Sequence, residues 1–155
     1  CSGLVGSEMC IRDRENGHTE RLIRQLNLTN HVSFKTNLSK EEVAYEYQSS
    51  SLAVISSLYE GFGFPAAEAM ACGTPIISSN SSALPEIVQD FGQLYEPGNS
   101  DALKDCIENF YLNRSAFNDL AKKGSLYANA TFNWEKIALD YEERFIETIE
   151  KFNSC

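Results

Sequence analysis

An α/β fold, with a parallel sheet flanked by helices and a helical segment at its end, is predicted by three features of this sequence. Leu52 to Ile55 and Ile76-Ile77 are continuous apolar runs, the composition of strands covered on both faces. Stretches with helical spacing separate them, which gives βα units and hence parallel pairing. After Pro97-Gly98 the remainder reads as helical, with apolar residues recurring at helical spacing.

Taken in order, the first stretch, 1–14 (CSGLVGSEMCIRDR), has neither helical nor strand periodicity. It resembles the translated read-through of a sequencing adapter and is read as an extraneous or disordered tail outside the fold. The chain does not begin with Met, and the expectation is that the protein proper starts mid-domain. From Thr19, Leu22, Ile23 and Leu26 form a short amphipathic helix, and Val32-Ser33-Phe34 reads as a strand. Ser39 with Glu42 three positions on is a capping box for a helix whose apolar face includes Val43 and Tyr47. The strand at Leu52–Ile55 leads through a glycine-rich turn into a small-residue helix from Pro65 to Ala71. That helix is ended by Gly73-Thr74-Pro75 before the Ile76-Ile77 strand. Leu84-Pro85-Glu86 reads as a turn and Gln93 to Tyr95 as a weak further strand.

Three helices follow. Leu103, Ile107, Phe110 and Tyr111 mark the first, Phe117, Leu120 and Ala121 the second. The third is capped by Asn133 and carries Ile137, Tyr141, Phe145 and Ile149. That stripe is expected to be core, part of it facing a partner, and Trp134 is expected to be packed in the core. Residues 15–131 form the expected main domain, and 132–152 a C-terminal helix.

With 155 residues, the chain has room for one self-supporting core. Its net charge of −9 repels nucleic acid and anionic lipid at long range, although local donors can still bind one nucleotide. No apolar run has the length of a membrane span. Five cysteines, none at CxxC spacing, and only His18 and His31 as histidines suggest neither a zinc site nor a disulfide framework. A cytoplasmic location is expected. Both histidines are read as surface or helix-end residues, and Cys72 as a small filler and not a nucleophile, because no base is evident near it. The sequons at Asn27, Asn37 and Asn129 carry no meaning in such a compartment.

The chemistry concentrates in Ser57 to Gly73, SLYEGFGFPAAEAMACG. Ligands of open parallel sheets sit at the carboxyl ends of strands. There a helix N-terminus offers unpaired N–H groups and partial positive charge to an anion such as a diphosphate. Pro65 costs nothing at such a start. Gly61 and Gly63 keep Cβ atoms out of a ligand's way, and Ala66, Ala67, Ala69 and Ala71 let the helix lie close to the sheet. Glu60 and Glu68 frame the turn. A carboxylate accepts two hydrogen bonds from a vicinal diol, which suits sugar or ribose hydroxyls. Equally, the two glutamates could simply favour the positive end of the helix, and the spacing does not choose.

The run LYEGFGFPAAEAMACGTPIISSNSSALPEIV resembles the donor-site signature of a large family of retaining GT-B glycosyltransferases, which includes sucrose synthase and bacterial mannosyltransferases. Glu60 and Glu68 match its E-x(7)-E motif, Gly73-Thr74-Pro75 its G-x-P turn, Leu84-Pro85-Glu86 its L-P-E turn, and Phe132-Asn133-Trp134 its F-S-W helix start. The similarity runs from about Glu15 to Phe152. It implies a Rossmann-like nucleotide-sugar-binding domain, the C-terminal half of a GT-B fold and incomplete, whose last helix crosses back to an acceptor domain. By the same resemblance Glu60 is the catalytic carboxylate contacting the transferred sugar, and Glu68 binds the ribose. The N–H groups of Gly61, Phe62, Gly63 and Phe64 face sugar and diphosphate, and the main chain around Asn37-Leu38 touches the base. The donor is a nucleotide-diphosphate sugar, the transferred group a hexose, and no cofactor or metal is required.

Departures are Ser56, where proline is usual, and Phe64, where leucine is commoner. The Arg and Lys that neutralise the diphosphate in the family lie upstream of this start, as does the acceptor domain, so no useful turnover is expected from this chain alone. Two other readings compete: a different GT-B enzyme such as a sugar-nucleotide epimerase, and a non-catalytic nucleotide-sugar-binding module. Epimerases lack the E-x(7)-E run.

Overall fold

The computed structural model describes residues 2–5, 8–11 and 17–153. In chain order the elements are β1 (Ser2–Val5), β2 (Glu8–Ile11), α1 (His18–Gln25), β3 (Ser33–Phe34), α2 (Lys40–Ser49), β4 (Ala53–Ile55) and α3 (Phe64–Ala71). Then come β5 (Ile76–Ser79), α4 (Leu84–Val88), a single 3-10 turn, β6 (Gln93–Tyr95), α5 (Ser100–Leu112), α6 (Arg114–Thr131) and α7 (Trp134–Asn153). One sheet runs β3-β2-β1-β4-β5-β6.

The parallel βα core is as the apolar runs predict. β4, β5 and β6 pair in parallel, with Val54 opposite Ile77 and Ser78 opposite Leu94. Every residue of β4 and β5 is buried. Alternation divides them between two layers. Ala53, Ile55 and Ile76 pack with Met70 of α3 and Leu84 and Val88 of α4 on one face. Ile77 and Tyr95 meet Cys106, Phe110 and Phe117 of α5 and α6 on the other.

Within the stretch read as outside the fold, the described residues 2–5 and 8–11 form two strands. β1 lies antiparallel to both β2 and β4, with Leu4 opposite Val54. Strand pairing there satisfies main-chain groups along the open side of β4, and that demand does not depend on side-chain alternation. A periodicity search therefore passes over it.

Local chemistry sets the helix ends. The Ser39 capping box forms in full: Ser39 N–H donates to Glu42 Oε2 at 2.7 Å, and Glu42 N–H to Ser39 Oγ at 3.2 Å. Gly73, at φ 75°, closes α3 in a Schellman turn, with Thr74 N–H on the Ala69 carbonyl at 3.0 Å and Gly73 N–H on that of Met70 at 2.9 Å. The Leu84-Pro85-Glu86 segment opens a short helix and is not an isolated turn. Proline in a first helical turn forfeits no hydrogen bond.

The C-terminal helix departs most from expectation. Asn133 caps α7 as foreseen, its Oδ1 accepting from Lys136 N–H at 3.1 Å. However, α7 has no buried residue. Trp134 is 69% exposed, and Tyr141, Phe145 and Ile149 are also exposed, Ile137 being intermediate. Tyr111 of α5 also faces solvent beneath the Arg114 guanidinium. No helix among the described residues is long and apolar enough to cross a membrane.

Candidate functional site

The turn between β4 and α3 leaves the carboxyl end of a strand buried on both faces and enters a helix held rigidly from behind. Ala66, Ala69 and Met70 of α3 are almost wholly buried. At the far end of α3, the Ala71 carbonyl accepts from Ser125 Oγ at 2.9 Å and Asn129 Nδ2 at 3.1 Å, both on α6. Thr74 Oγ1 donates to the Tyr47 carbonyl at 2.7 Å, tying α2 to the same corner.

At the leading end the requirement for glycine falls on Gly63. It sits at φ 94° as the residue before α3, and a Cβ there would come within 2.9 Å of Leu84 Cδ2. Gly61 has open space where a Cβ would stand. The Gly63 carbonyl accepts from the N–H groups of both Ala66 and Ala67, at 3.0 and 3.2 Å. Among the described residues no acceptor meets the N–H groups of Gly61, Phe62, Gly63 or Phe64. Four consecutive free donors thus stand at the positive end of a helix, where an anion is favoured.

The carboxylates differ in setting. Glu60 is half-buried, and its Oε1 accepts from Ser57 Oγ at 2.7 Å. Glu68 lies on the open side of α3, where partial loss of solvent raises its carboxyl above the ordinary glutamate value. Burial, and then the nearby Glu68, raise the Cys72 thiol too. A thiol held protonated is a poor nucleophile, in keeping with a filler role.

Phe62 of the turn packs against the end of α6 and against its neighbour Phe64. Phe62 lies 4.8 Å from Phe64 and meets Phe132 edge-on at 5.5 Å, ring centre to ring centre. Phe132 in turn contacts Tyr127 at 5.9 Å. This packing gives the family-like Phe132 a place in the architecture of the site.

Glu60, Gly61, Phe62, Gly63, Phe64 and Glu68 therefore share one turn and helix. Asn37 and Leu38 lie on the same edge of the sheet but not beside them. They follow β3, which runs in the direction of β4 and is separated from it by β2 and β1. Three strand spacings of about 4.8 Å make that roughly 14 Å. Asn37 is exposed at φ 58°, a left-handed conformation that asparagine tolerates.

The sequence reading missed a set of hydroxyls at the end of β5. Ser79 Oγ donates to the Ser57 carbonyl, Ser81 Oγ to that of Leu58 and Ser82 Oγ to that of Glu60 at 2.6 Å. The serine-rich run from Ser78 to Ser82 was the available signal, but nothing in spacing shows which loop such hydroxyls reach. Among the described residues there is no group of three or more His, Cys, Asp or Glu side chains arranged to hold a metal ion.

Comparison with known proteins gives this geometry a family. Residues 5–127 match the profile of glycosyl transferases group 1. An MMP alpha-(1->4)-mannosyltransferase of Mycolicibacterium hassiacum is 36% identical over 97% of this chain and 38% of its own. O-antigen chain mannosyltransferase B of Escherichia coli is 37% identical over 61% of this chain and 25% of its own. Among solved structures, sucrose-phosphate synthase of Thermosynechococcus elongatus superposes with a TM-score of 0.80 at 31% identity, over 92% of this chain and 37% of its own. HepE of Anabaena, solved with UDP and glucose, shares the fold with a TM-score of 0.77 at 24% identity, over 83% of this chain and 35% of its own. The chain spans about two fifths or less of the length of these relatives. With its βα core, its free helix N-terminus and a matching profile over most of its length, the chain belongs to the glycosyl transferases group 1 family.

Proposed function

We propose that this chain is the donor-binding part of a retaining glycosyltransferase that moves a hexose from a nucleotide-diphosphate sugar to an acceptor such as a polysaccharide, glycolipid or glycoside. One observation carries the reading: the four free N–H groups of Gly61 to Phe64 at the start of α3, flanked by Glu60 and Glu68. In this reading the diphosphate rests on those donors and on the helix's positive end. Glu68 accepts from the ribose hydroxyls. Glu60, oriented by Ser57, contacts the sugar and stabilises positive charge developing at its anomeric carbon. The main chain at Asn37 and Leu38 reaches the base, which the extended shape of a nucleotide sugar permits across neighbouring strands.

The reading includes a cytoplasmic location and no metal ion, so EDTA leaves nucleotide binding unchanged. It also gives α7 a task. Trp134, Tyr141, Phe145, Ile149 and Phe152 form an exposed apolar stripe at helical spacing, suited to packing on an acceptor-binding domain.

Calorimetric titration of the chain with UDP, GDP and ADP, beside Glu68→Ala, tests the proposal. Binding of one nucleotide, lost in the variant, is the expected result. Absence of binding to a demonstrably folded chain, or binding indifferent to the substitution, overturns the donor site as drawn.

A further inference from the structure

The loop that carries Glu60 is fastened to the neighbouring strand in an unusual way. Ser79, Ser81 and Ser82, at and just beyond the end of β5, each donate a side-chain hydroxyl to a main-chain carbonyl of the β4–α3 turn. The acceptors are Ser57 at 2.5 Å, Leu58 at 2.5 Å and Glu60 at 2.6 Å. Three of the four residues from Ser57 to Glu60 are held from one side. The Ser57 hydroxyl then reaches the Glu60 carboxylate itself at 2.7 Å, so both ends of Glu60, carbonyl and carboxylate, are engaged.

Ser82 adds an independent observation. It adopts φ 55°, a left-handed conformation that disfavours any residue with a Cβ, and glycine would take it without strain. Serine stands there instead and supplies the hydroxyl that meets the Glu60 carbonyl. Two residues further on, Leu84 of α4 closes the space beneath Gly63. The start of α4 thus supports the turn at two points.

We infer that Ser81 and Ser82 are positioning residues that hold the main chain of Glu60, and through it the Glu60 carboxylate, in one placement against the donor's sugar. Neither hydroxyl touches the ligand in this arrangement. The inference rests on the reading that Glu60 contacts the sugar whereas Glu68 contacts the ribose. It therefore separates two affinities: loosening the clamp weakens recognition of the sugar and leaves recognition of the nucleotide alone.

The test uses the full chain with Ser81→Ala, Ser82→Gly and the double variant. Ser82→Gly removes the hydroxyl while relieving the backbone, so its Tm is expected at or above that of the parent. Amide order parameters from NMR relaxation across 59–63 are expected to fall with each hydroxyl removed, from about 0.85 in the parent toward about 0.6 in the double variant. Titration with UDP and UDP-glucose, and with GDP and GDP-mannose, is expected to show sugar-nucleotide affinity reduced about fivefold in the double variant with nucleotide affinity unchanged. Unaltered order parameters in the double variant overturn the clamp. Lower order parameters with an equal effect on both affinities overturn the positioning of Glu60 and leave a merely structural tether. If the parent chain itself fails to distinguish sugar nucleotide from nucleotide, the donor reading fails, while the relaxation measurement, which needs no ligand, still decides the clamp.

Discussion

Helices α3 and α7 were both legible as apolar helices, yet they occupy opposite situations. α3 buries four of its eight residues against the sheet, α4 and α6, and presents its free N-terminus to solvent. α7 buries none of its twenty. The difference lies in the kind of apolar residue. Alanines at Ala66, Ala67 and Ala69 permit contact only with something close and already in place, here the backbone of β4 and β5. Large side chains such as Tyr141, Phe145 and Phe152 protrude and can cover a surface that is not part of the same sheet. Periodicity reveals that a face is apolar; residue size indicates how near its cover must be.

Substitutions can break this contrast, beginning with the largest effect. Met70→Ala should cost about 2–5 kcal/mol in denaturant unfolding, because a buried side chain between sheet and α6 leaves a cavity. Gly63→Ala follows at about 2–4 kcal/mol, combining a left-handed φ with a clash against Leu84. Gly61→Ala, with open space around it, should stay within about 0.5 kcal/mol. Equal losses at both glycines would contradict the geometry of the turn.

Glu68→Gln should have a smaller effect that depends on pH. The folded chain holds the Glu68 proton more tightly than the unfolded chain does. Stability therefore declines as pH rises from the ordinary glutamate value through the raised one. Removing the charge should give a slightly higher Tm above that window and no difference below it. The gain stays small because the side chain still reaches solvent. A lower Tm at neutral pH would show Glu68 to be held by interactions favouring its charge. Smallest of all, Phe145→Ser on α7 should change stability by no more than about 0.5 kcal/mol. A loss comparable to that of Met70→Ala would erase the contrast between the two helices.

Much of the fold was readable because local chemistry and tertiary role agreed. Ser39 and Glu42 form their capping box, Gly73 ends α3, and the apolar runs at β4 and β5 are buried on both faces. At the candidate site, the turn–helix arrangement of Glu60 to Glu68 followed from glycine, proline and small-residue spacing. What escaped depended on pairing between distant segments. β1 pairs with β4 and β2 joins it to β3, and Ser81 and Ser82 matter through carbonyls more than twenty residues away. Trp134 and the α7 stripe were misplaced for a related reason. An apolar residue is taken as interior unless something shows that the interior has no room for it.

The exposure of Trp134 has an optical consequence. It is the sole tryptophan in the sequence, stands two residues beyond Phe132, and begins the helix whose apolar side faces water. Its indole fluorescence should therefore emit at the red end of the range and be quenched readily by iodide. Whatever comes to lie on α7 would shift that emission to the blue and shield it. The chain thus carries its own reporter for the covering of its last helix, with no label added and no tyrosine signal to subtract when excitation is at the long-wavelength edge.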